Sequence, residues 1–282
     1  MARHWWIPVA ALAVVAGGAV AIATTAASAS PGLTHQAVET AAVGAPIASP
    51  TTVAPGHPMV SSGGSSAAGA AGNSAIVRAV KSTNWSGYAV HTGKYRNVSA
   101  TWIEPTAHCP LPKAKQYSAF WVGLDGYNSQ SVEQTGTDSD CSGPTPHYYG
   151  WYEMFPAAPV FFKTQVKPGN EMSASVTFSG TDTYTIVLKN LSRGWTHTIV
   201  KHETGLARSS AEVITEAPSS TSGVLPLADF GTVTFSSVKV SGILLRTLKP
   251  TEIIMDDNSG AAKDSTSPIA NDKFHNTWIR RN

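Results

Sequence analysis

Two polar side chains set in strand-like sequence are the residues of this chain best suited to chemistry. Gln134 lies in Ser131-Val132-Glu133-Gln134-Thr135-Gly136, and Glu216 closes Ala211-Glu212-Val213-Ile214-Thr215-Glu216. An amide can donate N–H to a developing negative charge, and a carboxylate can take a proton from water. The sequence carries no HExxH zinc motif, no phosphate-binding loop and no GxSxG nucleophile elbow. In an alternating strand Glu212, Ile214 and Glu216 share one face, and Ala211, Val213 and Thr215 share the other. Two carboxylates on one face repel unless that face is wet or paired. The segment therefore reads either as a solvent-facing strand or as the floor of a cleft. Gln134 has two readings as well, an ordinary surface glutamine or a working amide. A third segment, Trp151-Tyr152-Glu153-Met154-Phe155-Pro156, is either core packing around one acid or a substrate groove.

The elements that must position these residues are strands. Residues 98–103, 117–124, 148–155, 172–179, 183–189, 195–201, 211–216, 232–240, 251–255 and 273–279 are apolar or alternating, and Gly, Pro, Asn or Asp punctuate them. In residues 183–189, Tyr184, Ile186 and Leu188 fall on one face. The turn Asn190-Leu191-Ser192-Arg193-Gly194 then returns the chain through residues 195–201 as a hairpin. No window holds a helical period with caps. Many short strands between turns predict an antiparallel, all-β sandwich or barrel.

Composition divides the chain. Of its 24 aromatic residues, only Trp5 and Trp6 precede Trp85. Residues 1–29 read as a secretory leader: Arg3 and His4, an apolar stretch from Ile7, then Ala27-Ser28-Ala29. The rival is an uncleaved anchor. Residues 30–81, rich in Ala, Ser, Gly and Pro, bury too little apolar surface to offset their ordering entropy and read as a linker or propeptide. Residues 82–282 suffice for one domain with a sizeable core. A net charge of +2 without a Lys/Arg block offers nothing to nucleic acid. Cys109 and Cys141 would be oxidised after export, and a bridge would contribute roughly 3–4 kcal/mol by restricting the unfolded chain; two separate buried thiols are the alternative. Two cysteines without a histidine cluster make no zinc site. Asp138-Ser139-Asp140-Cys141-Ser142-Gly143 is weakly like a calcium loop, but its twelfth position is Tyr149 rather than Glu. Asn84, Asn97 and Asn190 head glycosylation triplets.

Five ordered segments resemble the motifs of the glutamic peptidases, or eqolisins: Asn84-Trp85-Ser86-Gly87-Tyr88, Phe120-Trp121-Val122-Gly123-Leu124-Asp125-Gly126, Glu133-Gln134-Thr135-Gly136, the Trp151–Pro156 segment and the Ala211–Glu216 segment. The resemblance runs from Asn84 to at least Phe235, and the chain looks like a secreted homologue of bacterial type. It implies a two-sheet antiparallel β-sandwich of the concanavalin-like type with its site on the concave face. Carried over by motif, Gln134 and Glu216 match the catalytic pair. Trp121 and Glu153 match residues lining or supporting the site, and Asp125 and Trp151 match flanking positions. In the fungal pattern Asp-Phe follows the catalytic glutamate, where this chain has Ala217-Pro218. An acid two residues before the Trp of the third segment is replaced by Tyr149.

The resemblance implies that ionised Glu216 takes a proton from an attacking water while Gln134 donates to the oxyanion. Protonated Glu216 then donates to the leaving amine. An unperturbed Glu titrates near ~4.3, which suits work in acid. The expectation is a secreted, extracellular, acid-active endopeptidase with protein or peptide substrates and no cofactor or metal. It would be monomeric, without nucleic acid and without stable membrane association once the leader is cut, and residues 30–81 would be a removable propeptide. The alternatives are a carbohydrate-binding or glycosidase-type sandwich, with Glu153 and Glu216 as its acid pair, and an inactive homologue.

Overall fold

The computed structural model describes residues 79–282. The leader expected at residues 1–29, and all but the last residues of the segment expected at 30–81, lie outside the described residues. The first strand runs Ala79–Ser82 and so crosses the expected boundary at residue 82.

In chain order the strands are β1 (Ala79–Ser82), β2 (Trp85–Val90), β3 (Asn97–Ile103), β4 (Lys115–Gln116), β5 (Ala119–Leu124), β6 (Val132–Ser142), β7 (Thr145–Phe155), β8 (Val160–Phe161), β9 (Glu171–Gly180) and β10 (Thr183–Asn190). They continue as β11 (Trp195–His202), β12 (Ala211–Glu216), β13 (Ser219–Ser220), β14 (Gly223–Val224), β15 (Thr232–Val240), β16 (Ile243–Leu244), β17 (Thr251–Met255), β18 (Asp264–Thr266) and β19 (Phe274–Trp278). One sheet has the order β1-β17-β2-β12-β5-β6-β7-β8, with β4 beside β6; the other has the order β11-β10-β9-β3-β15-β19-β18, with β16 beside β15. All pairings in the two sheets are antiparallel except β1 with β17. A 3-10 turn at Leu245–Leu248 is the helical element among the described residues, and none there is long and apolar enough to cross a membrane.

Alternation builds the sandwich. From the first sheet Phe120, Val122, Leu124 and Val213 point inward; Val98, Ala100, Trp102, Met172, Val176, Tyr184, Ile186, Leu188 and Phe235 of the second sheet meet them in one buried cluster. The opposite face of the first sheet carries a smaller cluster of Trp85, Ala89, Ala119, Trp121, Val132, Trp151, Ile214 and Ile253. The predicted β10–β11 hairpin forms with Asn190 opposite Trp195, and Gly194 supplies the left-handed residue of its turn at φ +72°.

Two strands form where the sequence shows no clear alternation. Residues 138–142, weakly like a calcium loop, are the end of β6 and pair with β7 throughout. Their Asp and Ser side chains look like loop formers, yet partners from neighbouring strands bury them, and tertiary context overrides strand propensity. Strand β2 also reads poorly, because Ser86 and Gly87 interrupt its alternation. At Gly87 the backbone has φ +128°, and a Cβ would meet the Val213 carbonyl oxygen at 2.3 Å. Cys109 and Cys141 form the expected disulfide, with Cα atoms 5.5 Å apart.

Candidate active site

Strand β12 is central, paired on one side with β2 and on the other with β5, and all six of its residues are buried. Of the two readings of this strand, the solvent-facing one is therefore removed. Its register places Glu216 opposite Ala119, Ile214 opposite Trp121 and Glu212 opposite Gly123. The next pairing sets Ala119 against Asp138, Trp121 against Gly136 and Gly123 against Gln134. Strand β7 then places Glu153 opposite Gln134, Trp151 opposite Gly136 and Tyr149 opposite Asp138. Glu216, Trp121, Gln134, Asp138, Trp151 and Glu153 thus share the outer face of the first sheet. Gly136 lets the strands close there: a Cβ would stand 2.2 Å from the Phe120 carbonyl oxygen and 2.6 Å from Trp121 Cβ.

Glu216 is held from two directions. Trp121 Nε1 donates to its Oε2 at 2.8 Å, and Asn84 Nδ2 donates to its Oε1 at 3.4 Å. Donors aimed at a carboxylate favour its ionised form. The indole is fixed by an edge-on contact with Trp85, ring centroids 4.8 Å apart. Asn84 is fixed by its own turn. Ser82 Oγ donates to Asn84 Oδ1 at 3.0 Å, Ala217 N donates to Asn84 O at 2.8 Å, and Lys263 Nζ donates to Thr83 O at 3.3 Å.

Gln134 and Glu153 form the second pair. Gln134 Nε2 donates to Glu153 Oε2 at 2.6 Å, and both residues are fully buried. Burial above all, then the nearby Glu216 charge, pushes the Glu153 carboxyl up to about 9; the Gln134 bond acts in the opposite direction. Asp138 Oδ1 accepts from Trp151 Nε1 at 2.6 Å, and burial pushes this carboxyl up to about 8 despite that bond. The face therefore joins one carboxyl braced by two N–H donors to an amide bonded to an acid whose burial favours its neutral form.

The structure brings Trp121 onto Glu216 and Glu153 onto Gln134, and it sets Trp151 between them against Asp138. Asp125 stands apart, at the opposite end of β12 from Glu216. It has φ +66°, and its carboxylate accepts from Arg208 N at 2.6 Å and from Ser209 N at 2.7 Å, anchoring the segment that enters β12. Tyr149 is buried on the site face, edge-on to Phe161 with centroids 5.7 Å apart. Sequence reasoning assigned no site role to Asn84, although it opens the first of the five family-like segments, or to Asp138. Asp138 follows Gln134 by four residues on one strand, a spacing that keeps both on one face. Asn84 heads a glycosylation triplet, but it is fully buried, as is Asn190 at 1% exposure.

Residues 83–267 match the sequence model of the Peptidase A4 family. Aspergillopepsin-2 of Aspergillus niger is 25% identical over 182 residues, which cover 57% of this chain and 64% of that protein; the chain thus spans less than two thirds of that relative's length. A scytalido-glutamic peptidase structure with a transition-state analogue inhibitor is similar at a TM-score of 0.61 and 23% identity, over 70% of this chain and 98% of that one. SCP-B, an eqolisin-family peptidase in complex with the tripeptide Ala-Ile-His, is similar at 0.57 and 22% identity, over 70% and 98% of the two chains. At these identities the structures attest the shared β-sandwich.

Proposed function

The chain belongs to the Peptidase A4 family, and on that premise we propose that it is an acid-active glutamic endopeptidase working through Glu216 and Gln134. Ionised Glu216 takes a proton from water as that water attacks the scissile carbonyl. Gln134 N–H steadies the oxyanion, and Glu216 returns the proton to the leaving amine. The observation that carries this reading is the bracing of Glu216 by Trp121 Nε1 at 2.8 Å, on the same face as Gln134. N–H donors aimed at a carboxylate favour its ionised form, the form that can act as a base.

Proteins or peptides are the substrates under this reading. The leader pattern at residues 1–29 and the Cys109–Cys141 bridge support secretion, and residues 30–81 fit a propeptide removed from the mature, monomeric enzyme. A glycosidase would need Glu153 directed at a sugar opposite Glu216, whereas Gln134 engages its carboxyl. Casein digestion in acid tests the proposal. Wild type cuts, and Glu216→Gln and Gln134→Glu each lose activity; digestion that survives both substitutions refutes the dyad.

A further inference from the structure

Gln134 has a conflict to resolve. Its Nε2 faces Glu153 at 2.6 Å, and its Oε1 makes no hydrogen bond among the described residues. In that orientation an N–H of the amide is engaged by Glu153 while the buried carbonyl oxygen has no donor, and an oxyanion brought beside that oxygen would be repelled. The two ends of an amide are isosteric, so packing does not choose between them; the partner's proton does. An ionised Glu153 only accepts and holds Nε2. A neutral Glu153 owns an O–H that needs an acceptor, and Gln134 Oε1 is the carbonyl within reach. A separation of 2.6 Å is short for N–H···O and ordinary for O–H···O.

The geometry points to Glu153 as the positioning residue for Gln134: as a neutral acid it donates to Gln134 Oε1 and turns Nε2 toward the substrate carbonyl, and as a carboxylate it captures Nε2 and disarms the site. The surroundings favour the neutral form. Glu153 is fully buried, and the charges acting on it are those of Glu216 on β12 and Asp138 on β6, both acids. Glu212 stands in the same row across Gly123, another acid, and the neighbours on its own strand's outer face are Trp151 and Phe155. Burial and the Glu216 charge hold its titration near 9, far above that of an ordinary carboxyl. Across the acid range in which the proposed peptidase works Glu153 therefore stays neutral and Gln134 stays armed, and the amide turns only as pH rises toward about 9.

This inference rests on the proposed peptidase function, so its test includes a readout independent of turnover. The side-chain amide of Gln134 is followed by 15N–1H NMR in the full chain from about pH 4 to about pH 10, a range that spans ordinary and raised carboxyls; the signals are identified by their loss in Gln134→Glu. The expected result is a pH-dependent shift of that amide in the alkaline half of the range, absent in Glu153→Gln. Parallel kcat/KM profiles lose their alkaline limb in Glu153→Gln and keep their acid limb. Glu153→Leu, which cannot hold the amide, drops kcat on the order of tenfold or more with KM little changed. A wild-type amide signal that does not titrate overturns the inference whether or not the variants fold, and so does a titration that persists in Glu153→Gln. A titrating amide in a protein that cuts no peptide leaves the coupling standing and removes the peptidase reading.

Discussion

Replacing Trp121 with Phe keeps a ring in the outer cluster and deletes one atom group of consequence, the N–H that donates to Glu216 Oε2 at 2.8 Å. A hydrogen bond to a charged partner contributes about 1.5–3 kcal/mol and a neutral one about 0.5–1.5 kcal/mol. Its loss therefore disfavours ionised Glu216 over the neutral acid by about 1–1.5 kcal/mol. At about 1.36 kcal/mol per pH unit, the acid limb of kcat/KM moves up by roughly one unit. The sign follows from the proposed mechanism: there Glu216 must be ionised to take a proton from water, so less favoured ionisation requires a higher pH. Asn84→Ala removes a longer bond of 3.4 Å and shifts the limb in the same direction by less. Phe also gives up part of the edge contact with Trp85, worth about 0.5–1.5 kcal/mol, so profiles are recorded well below the melting temperature. An acid limb that stays in place in Trp121→Phe, with the fold intact by circular dichroism, refutes the claim that the indole sustains the base.

Gly136→Ala forces a Cβ to within 2.2 Å of the Phe120 carbonyl oxygen, and backbone cannot yield as a side chain can; a loss of several kcal/mol in urea unfolding is expected, and a near-neutral effect contradicts the close strand approach. Removing the bridge by Cys109→Ser with Cys141→Ser lowers unfolding free energy by about 2–5 kcal/mol, measured by the same titration. Stability also depends on pH with a definite sign. Burial raises Glu104 to about 7, Asp264 to about 7, Asp138 to about 8 and Glu133 to about 9, whereas the unfolded carboxyls titrate near ~4. Between those values the unfolded chain releases protons that the folded one retains, so stability is fully present below about pH 4 and declines as pH rises toward 7–9. Calorimetry should show the melting temperature falling from pH 4 to pH 8; a rise across that interval contradicts the burial of these groups in neutral form.

Much of the fold was legible because alternation is visible wherever one face is apolar. The segments forming β3, β9, β10, β12 and β17 announce themselves this way, and Tyr184, Ile186 and Leu188 point into the core as their spacing requires. The second half of β6 was not legible. Its inward Thr137 and Ser139 are buried because Glu104, arriving from the end of β3, accepts from both hydroxyls, and no local pattern records a partner 33 or 35 residues away. The candidate pair itself was marked by motif, but its supports divide. Trp121 and Glu153 sit in recognisable segments and reach Glu216 and Gln134 directly. Asn84 reaches Glu216 only because a turn folds Ser82 and Lys263 around it, and Asp125 supports the entry to β12 rather than the pair.

The departures at Tyr149 and Ala217-Pro218 both bear on Glu216, one through the charge it omits and the other through the backbone it supplies. Ala217 is buried and uses its backbone N–H to hold the Asn84 carbonyl at 2.8 Å, so the residue after Glu216 steadies the second donor to Glu216 without contributing a carboxyl. Tyr149 occupies the row of Glu216 and Asp138, where an acid would be the third carboxyl of the row, on a face where burial already pushes Glu153 and Asp138 up. A phenol carries no charge there, whereas the ionised fraction of an acid would set one more like charge along the row, and like charges favour the neutral acid. The two substitutions thus act on the same quantity, the readiness of Glu216 to ionise in acid. Tyr149→Asp should accordingly move the acid limb of kcat/KM upward, the same direction as Trp121→Phe by a different route. Combining the two tests their independence: the indole acts by a hydrogen bond and the phenol by the charge it does not carry. Additive shifts are expected, and a double variant no different from either single one would show that both act through a common displacement of Glu216.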